Sequence, residues 1–335
     1  NFIKKMTKNI LNQFKLLIFL MLDIFCLIFI FSGCTNISKI DPEIEKIQLE
    51  INFDRFDLKF ASIHKNEFSN FKKKYNYLFP SKFPDSVWLN RKNDTIQAML
   101  QNEVNKIFPN LDKLEKETES IYKHLTYHFP SIKIPKFLTL INNVDYQSKI
   151  IFADSIILIS LDTFLGSTNK IYDGIPGYIK NDMDKSRFGS ILVDKIASSI
   201  VHPPKNRFFL DRIIYKGKIL LLKDFIIPLS NDGVKIGYSE KQLNWAMENE
   251  EYIWKYFVRN ELLFKTDDNL IDRFISPAPF SKFYLEIDNE SPGKIGQWIG
   301  WQILRSYRKK NPSRSITEIL KLSSEELFKE ANYKP

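Results

Sequence analysis

The sequence is poor in cysteine, and both of its cysteines, Cys26 and Cys34, precede residue 42. Residues 42–335 therefore cannot form an intrachain disulfide, a thiolate nucleophile or a cysteine metal site. Glycine is also scarce, with 11 in 335 residues, and neither a Gly-rich phosphate-binding loop nor a Gly-x-Ser-x-Gly motif occurs. These absences exclude the common sequence signatures of P-loop nucleotide-binding proteins and of α/β-hydrolases.

The first 34 residues have the order of a secretory leader: lysines, then an apolar run over 16–31, then Ser32 and Gly33 before Cys34. Phe31 to Cys34 resemble the bacterial lipobox, which predicts cleavage before Cys34 and acylation of that cysteine. The alternative is an uncleaved membrane anchor, but the run is short for a spanning helix and contains Asp23. We predict a signal peptide over 1–33, a lipidated polar tether over 34–41 and a domain over 42–335.

The net charge is +9, and removal of residues 1–33 takes away four lysines and one aspartate. The remaining 45 basic and 39 acidic side chains leave a net charge of +6. This mild excess favours anionic lipid or glycan without specifying either. It is not evidence for a nucleic-acid partner, and the leader argues against such a partner independently.

Hydrophobic periodicity predicts a single α+β domain, predominantly helical, with a small sheet. Alternating apolar residues predict a strand at 47–53, and β-branched runs predict paired strands at 137–141 and 149–161. We expect Ser239 and Ser291 to cap helices, with Pro292 in a first turn. Amphipathic patterns predict helices at 68–77, 95–108, 111–128, 188–201, 207–227, 240–263 and 294–309, followed by two short terminal helices.

Residues that could carry chemistry are few. His124 and His128 have metal-like i, i+4 spacing, but a zincin needs Glu after the first histidine, and Leu125 is there. A role at a helix end is the favoured interpretation for the two histidines. Two carboxylate pairs could form an acid/base site, although solvated or capping roles are favoured for both. These pairs are Asp154 with Asp162 and Asp288 with Glu290.

The densest segment is 277–307, where Gly296 and Gly300 lie four residues apart on one helix face. Glycines at this spacing let another backbone approach closely, at a helix-propensity cost of about 1 kcal/mol each. The favoured interpretation is tight helix packing with the tryptophans on a core-facing stripe. The alternative is a partner-binding groove, for which the candidate residues are Asp288, Asn289, Glu290, Trp298 and Trp301.

The same segment, PAPFSKFYLEIDNESPGKIGQWIGWQILRSY, resembles the gliding-motility lipoprotein GldB family. Three further stretches are similar to this family: PDSVWLN at 84–90, ADSIILISLDTFLG at 153–166 and IGYSEKQLNWAMENEEYIWKYFVRNELLF at 236–264. The resemblance covers essentially the whole chain after the tether. It implies a membrane-anchored envelope protein needed for gliding, whose partners are envelope components of the motility apparatus and its associated outer-membrane secretion system.

A second resemblance concerns mechanism. The order of strand pair, helix, helix with Tyr215, Lys216 and Gly217, and a last helix looks like a zincin-type metallopeptidase. The resemblance implies His-Glu-x-x-His on the first helix and a Glu ligand on the second. Here the helix at 191–201 has neither His nor Glu, and Lys216 occupies the Glu position; a protonated lysine cannot ligate zinc. This predicts a degenerate zincin-like fold that lacks the metal site and needs no cofactor.

Two hypotheses from different classes follow. The favoured one is a non-catalytic envelope lipoprotein that scaffolds or assembles a complex through the 277–307 segment. The alternative is an envelope hydrolase, either a metallopeptidase using His124 and His128 or a carboxylate-dependent enzyme acting on peptidoglycan or glycan. Thr35 after Cys34 is not the Asp that retains enteric lipoproteins in the inner membrane, which favours the outer membrane.

Overall fold

A small mixed sheet organises the first half of the fold in the computed structural model, which describes residues 41–335. Its strands are β1 (Phe53–Asp54), β2 (Lys136–Leu140), β3 (Ile150–Ala153) and β4 (Ile156–Ser160), in the order β1-β2-β4-β3. β2 is parallel to β1 and β4, whereas β3 is antiparallel to β4. Because neighbouring side chains of a strand face opposite ways, Phe137 enters the main core and Leu138 an aromatic cluster on the other face.

The helices before β2 cover both faces of this sheet. Asp94 accepts the backbone N–H groups of Ile96 and Gln97, which caps α5. Phe56 and Phe60 of α2 belong to the aromatic cluster around Leu138. The helices are α1 (Pro42–Glu45), α2 (Phe56–Ser62), α3 (Phe68–Lys74), α4 (Asp85–Lys92), α5 (Thr95–Ile107) and α6 (Asp112–His128).

The second half of the fold is helical, and its two longest helices, α9 and α14, pack against each other. The described residues form one compact unit. The helices of this half are α7 (Gly177–Lys180), α8 (Phe188–Ile200), α9 (Phe209–Ile226), α10 (Asp232–Ile236), α11 (Glu240–Glu248), α12 (Glu250–Arg259), α13 (Asn269–Phe274), α14 (Ile295–Lys310), α15 (Ile316–Lys321) and α16 (Ser324–Ala331).

The predicted α+β class, mostly helical with a small sheet, is confirmed. Two strand predictions need correction. Segment 149–161 is a hairpin rather than one strand, because Asp154 adopts a φ of 49° and turns the chain between β3 and β4. Segment 47–53 has alternating burial, but the ladder with β2 includes only Phe53 and Asp54.

Two helix predictions also need correction. Segment 240–263 is two helices because Asn249 ends α11: its amide Nδ2 donates to the carbonyl of Trp245 at 2.9 Å. Ser239 caps α11 as predicted, in a capping box with Gln242. Ser291 does not cap α14, since that helix begins at Ile295 after Lys294, which has a φ of 63°.

The predicted signal peptide and the lipid anchor Cys34 lie outside the described residues. Within residues 41–335, no helix has the length and apolar character needed to cross a membrane.

Candidate partner-binding surface

The two tryptophans proposed to edge a groove belong to the core. Trp298 is 3% exposed and Trp301 is fully buried, and their rings meet edge to face at 5.8 Å. Their indole N–H groups donate at 2.9 Å to Glu250 and Asp224, respectively. Neither side chain can touch a partner, so the alternative of a Trp-lined groove is wrong for both, and the favoured interpretation, a core-facing stripe, describes them. As the i, i+3 spacing predicts, the two tryptophans lie on the same face of α14, and other helices cover that face.

The close helix packing predicted from Gly296 and Gly300 is confirmed. A Cβ on Gly300 would overlap the carbonyl of Ile213 on α9, and one on Gly296 would stand 3.0 Å from the carbonyl oxygen of Phe274. Both glycines are buried. They allow α14 to approach α9 and the end of α13 with backbone in contact.

The three acidic and amide candidates lie in a surface loop over residues 281–291, called here the 281–291 loop. Asn289 and Glu290 are exposed, whereas Asp288 is half-buried. The Asp288 carboxylate accepts the backbone N–H groups of Phe283 and Tyr284, both at 2.9 Å. Asp288 therefore organises the loop from within instead of facing a partner directly.

Further contacts hold the 281–291 loop in one conformation. Ser281 donates its N–H to Ser291 Oγ at 3.1 Å and its hydroxyl to the carbonyl of Pro292 at 2.7 Å, closing the base of the loop. Arg273 lies over the ring of Tyr284, with 4.4 Å from its guanidinium carbon to the ring centroid. A cation over an aromatic face is an attractive contact. The loop is thus ordered before any partner arrives.

The 281–291 loop presents large apolar side chains to solvent. Tyr284, Leu285 and Ile287 are 73%, 55% and 39% exposed, and Tyr252 on α12 is 70% exposed. Between the loop and α12 lies a groove of about 440 Å³, called here the apolar groove. Its lining is Trp245, Asn249, Tyr252, Ile253, Lys255, Tyr256, Arg259, Asn260, Phe283, Leu285 and Ile287.

Phe283 joins the apolar groove to the core. Its ring is 5% exposed and lies 5.0 Å from the ring of Tyr256 and 5.1 Å from that of Phe274. The hydroxyl of Tyr256 donates to the carbonyl of Phe283 at 2.8 Å. Exposed apolar side chains on such a fixed support are typical of binding surfaces, because little conformational entropy is lost when a partner binds.

The carboxylate pairs considered for hydrolysis do not form an acid/base site. Asp154 and Asp162 lie at opposite ends of β4, on the order of 20 Å apart from the rise of a strand, beyond the separation that glycosidases use. Asp162 is buried and accepts the N–H of Val144 at 2.7 Å, and burial raises its pKa. Asp288 accepts N–H groups of the loop backbone, and Glu290 is exposed to solvent.

The histidine pair has a structural environment. His124 is buried, and its Nδ1 lies 2.8 Å from the carbonyl oxygen of Ser120. His128 packs edge to face on Phe225 at 5.3 Å, and burial lowers its pKa to about 4. Nε2 of His124 is buried with no hydrogen-bond partner in the described part of the chain. A metal there would need a third ligand, and across residues 41–335 no cluster of three His, Cys, Asp or Glu is positioned to hold a metal.

The described residues define a mostly helical α+β domain that presents a fixed apolar surface. A family model described as "Gliding motility protein GldB" matches residues 37–335 of this chain. The chain belongs to that family, which confirms the resemblance found in the sequence. No curated protein and no solved structure matches this chain. The resemblance to zincin-type metallopeptidases therefore stays a prediction.

Sequence analysis missed the residues that make this surface. Tyr252, Leu285 and Ile287 occur in amphipathic or mixed segments that look like ordinary core positions. One signal was available: the acidic Glu286 and Asp288 alternate with the apolar Leu285 and Ile287, which is unusual for a buried segment. Within segment 277–307, the exposed apolar residues lie in the N-terminal part and not at the tryptophans.

Proposed function

We propose that this protein is a non-catalytic envelope lipoprotein that docks another envelope protein of the gliding and secretion machinery in the apolar groove. The observation that carries the proposal is the 281–291 loop, whose exposed Tyr284, Leu285 and Ile287 rest on a backbone held by Asp288. Anchorage through acylated Cys34, in the outer membrane, is part of the same proposal. The family description supports the connection with motility.

The partner's chemistry follows from the rim of the apolar groove. Arg259 borders the groove, and its side chain makes no hydrogen bond or ion pair within residues 41–335. Lys255 is beside it, paired with Glu251 on its own helix. We therefore expect a segment with two or three apolar anchors, which fill the groove, and an acidic side chain that reaches Arg259. Apolar anchors at the centre and charges at the rim are the usual arrangement of a protein interface.

A docking role agrees with the environment of the residues that an enzyme would need. His124 is buried with its Nδ1 at the carbonyl of Ser120, His128 is half-buried against the ring of Phe225, and Asp162 accepts backbone N–H groups. The family description names a motility protein and no reaction. We infer that the domain acts by holding a partner close to the membrane.

The test is site-specific crosslinking of the full-length protein in the envelope of the producing bacterium. A photoreactive residue at position 285 should capture one defined partner, and Leu285→Asp or Tyr252→Asp should reduce co-purification of that partner roughly tenfold or more. Leu229→Asp is the matched control, because Leu229 is 67% exposed outside the groove. All three substituted side chains are solvent-exposed, so the fold should persist.

Partner recovery equal to wild type in both groove variants would rule out the apolar groove as the docking site. Loss of recovery in the Leu229→Asp control would also count against it, since the effect would then not depend on the groove. Arg259→Glu supplies the charge test: it should weaken capture, and an acidic-to-basic change in the captured segment should restore it.

A further inference from the structure

Basic side chains from five separate segments meet beside the start of β3. Five basic side chains and two carboxylates, all within the described residues, form what is called here the basic cluster. Solvent reaches it, because the side chains of Asp182 and Asp194 are 30% and 44% exposed. The basic cluster consists of Lys149, Asp182, Arg187, Asp194, Lys195, Lys223 and Lys294.

Three charged groups converge on the backbone of Gly237. A Cβ at this residue would stand 2.7 Å from Arg187 Nη2, 2.8 Å from Lys294 Nζ and 2.9 Å from Asp182 Oδ1. Arg187 Nη2 and Lys294 Nζ both lie within 2.8 Å of this one position, so the two cationic nitrogens are close to each other. Gly237 has a φ of 83°, so both its conformation and the space beside it require glycine. The chain thus holds two cations close together at a point where any side chain would separate them.

Part of the cluster's charge is balanced internally. Lys223 contacts Asp194 at 2.7 Å and donates to Ser190 Oγ at 2.9 Å and to the carbonyl of Lys235 at 2.7 Å, which uses its three N–H groups. The guanidinium of Arg187 is likewise engaged, with Asp182 at 3.0 Å and the carbonyl of Gly233 at 3.3 Å.

Three ammonium groups make no direct ion pair within residues 41–335, although Asp182 is near enough to attract Lys149 and Lys294. The side chains of Lys149 and Lys195 make no hydrogen bond or ion pair there, and Lys294 donates to the carbonyl of Ile236 at 2.7 Å. Burial lowers the pKa of Lys149 and of Lys294; attraction to Asp182 opposes this effect, and repulsion by Arg187 adds to it. A partly desolvated ammonium without a direct ion pair costs free energy, so a bound anion would stabilise this arrangement.

The available donors indicate the kind of anion. The one guanidinium is occupied, so no anion can be bound here through a free guanidinium fork. The remaining ammonium groups are compact charges that rotate their N–H groups toward any oxygen, which suits a tetrahedral dianion. We propose that the basic cluster binds a phosphate group through Lys149, Lys195 and Lys294. This site is independent of the apolar groove, and the phosphate belongs either to free inorganic phosphate or to a lipid headgroup.

The test uses the full chain in a non-ionic sugar detergent, in phosphate-free buffer at about 0.15 M salt, where exposed charges are screened. Inorganic phosphate and glycerol 3-phosphate are titrated separately by calorimetry, and the latter represents a headgroup ester. We expect saturable binding of at least one. Tighter binding of glycerol 3-phosphate supports a headgroup as the ligand, and binding of inorganic phosphate alone supports the free ion.

Lys149→Gln and Lys294→Gln should each weaken that binding about tenfold or more, the loss expected for one charged hydrogen bond. Lys149→Gln loses no hydrogen bond of the folded chain, so its melting temperature should match or exceed that of wild type. Lys309→Gln, an exposed lysine near the end of α14, removes the same charge elsewhere and should leave binding unchanged. Absence of saturable binding of either compound, or wild-type affinity in both cluster variants, would overturn the proposal.

Discussion

The carbonyl of Gly300 on α14 lies against the α-carbon of Gly217 on α9, so a methyl group on Gly217 would overlap it. The same hypothetical methyl would stand 2.9 Å from the backbone nitrogen of Trp301. α9 and α14 therefore cross with their backbones in contact, and the 281–291 loop leads into the start of α14.

This contact makes a strong prediction about glycine substitution. Alanine is the better helix former by about 1 kcal/mol, yet Gly300→Ala should destabilise the protein by roughly 3 kcal/mol or more, because the helices would have to separate. Thermal unfolding of the purified chain measures the effect. Gly177→Ala is the control, since a Cβ there meets nothing within 4 Å and should leave stability equal or higher. Equal stability of the two variants would contradict the packing described.

Asp288 supports a second prediction, which separates loop order from global folding. Asp288→Ala leaves the N–H groups of Phe283 and Tyr284 without their acceptor, a loss of about 1 kcal/mol for a capping group. Tyr284 has a φ of 63°, a conformation that the loop has to maintain. We expect faster hydrogen exchange confined to the 281–291 loop, together with weaker partner capture. Asn289→Ala, at the exposed neighbouring position, should change neither, and unchanged exchange in Asp288→Ala would refute the role given to this carboxylate.

Periodicity and glycine spacing were sufficient to predict the α+β class and the close approach of another backbone to Gly300. These features depend on local sequence, where the helical period and the lack of a side chain act directly. Periodicity also placed Trp298 and Trp301 on one face of a helix. It could not tell whether that face meets solvent or another helix, because the covering residues come from α9 and α12.

The surface residues could not be predicted for the same physical reason. Tyr252 and Leu285 come together only when α12 and the 281–291 loop pack side by side. At the break before α12, the backbone N–H and the side-chain amide of Asn249 both donate to the carbonyl of Trp245. The basic cluster is a stronger example, since Lys149 and Lys294 are 145 residues apart in the chain. Non-local assembly of this kind leaves no periodic signal.

His128 gives a prediction about acid stability. Burial, with the neighbouring His124 as a second cause, lowers its pKa to about 4 from an ordinary value of 6.5. Between these two pH values the unfolded chain binds a proton that the folded chain does not, so this residue's contribution to stability is complete above pH 6.5 and is lost as the pH falls toward 4. His128→Phe keeps an aromatic ring against Phe225 and removes the titration. The stability of wild type relative to this variant should therefore fall on acidification, whereas a constant difference across the range would contradict the assignment.

Glu117 on α6 has the opposite pH dependence. The carboxylate of Glu117 accepts the N–H of Gly189 in the first turn of α8 and occupies the space that a side chain on Gly189 would fill. Burial raises the pKa of Glu117 from 4.5 to about 7. Between these pH values the folded chain binds a proton that the unfolded chain does not, so Glu117 lowers stability as the pH rises from 4.5 through 7. Glu117→Gln retains the oxygen that accepts the Gly189 N–H and does not titrate. The melting temperature of this variant relative to wild type should rise from pH 4.5 to 7 and then level off. If this difference in melting temperature falls over that interval instead, the carboxylate is ionised and stabilising in the fold.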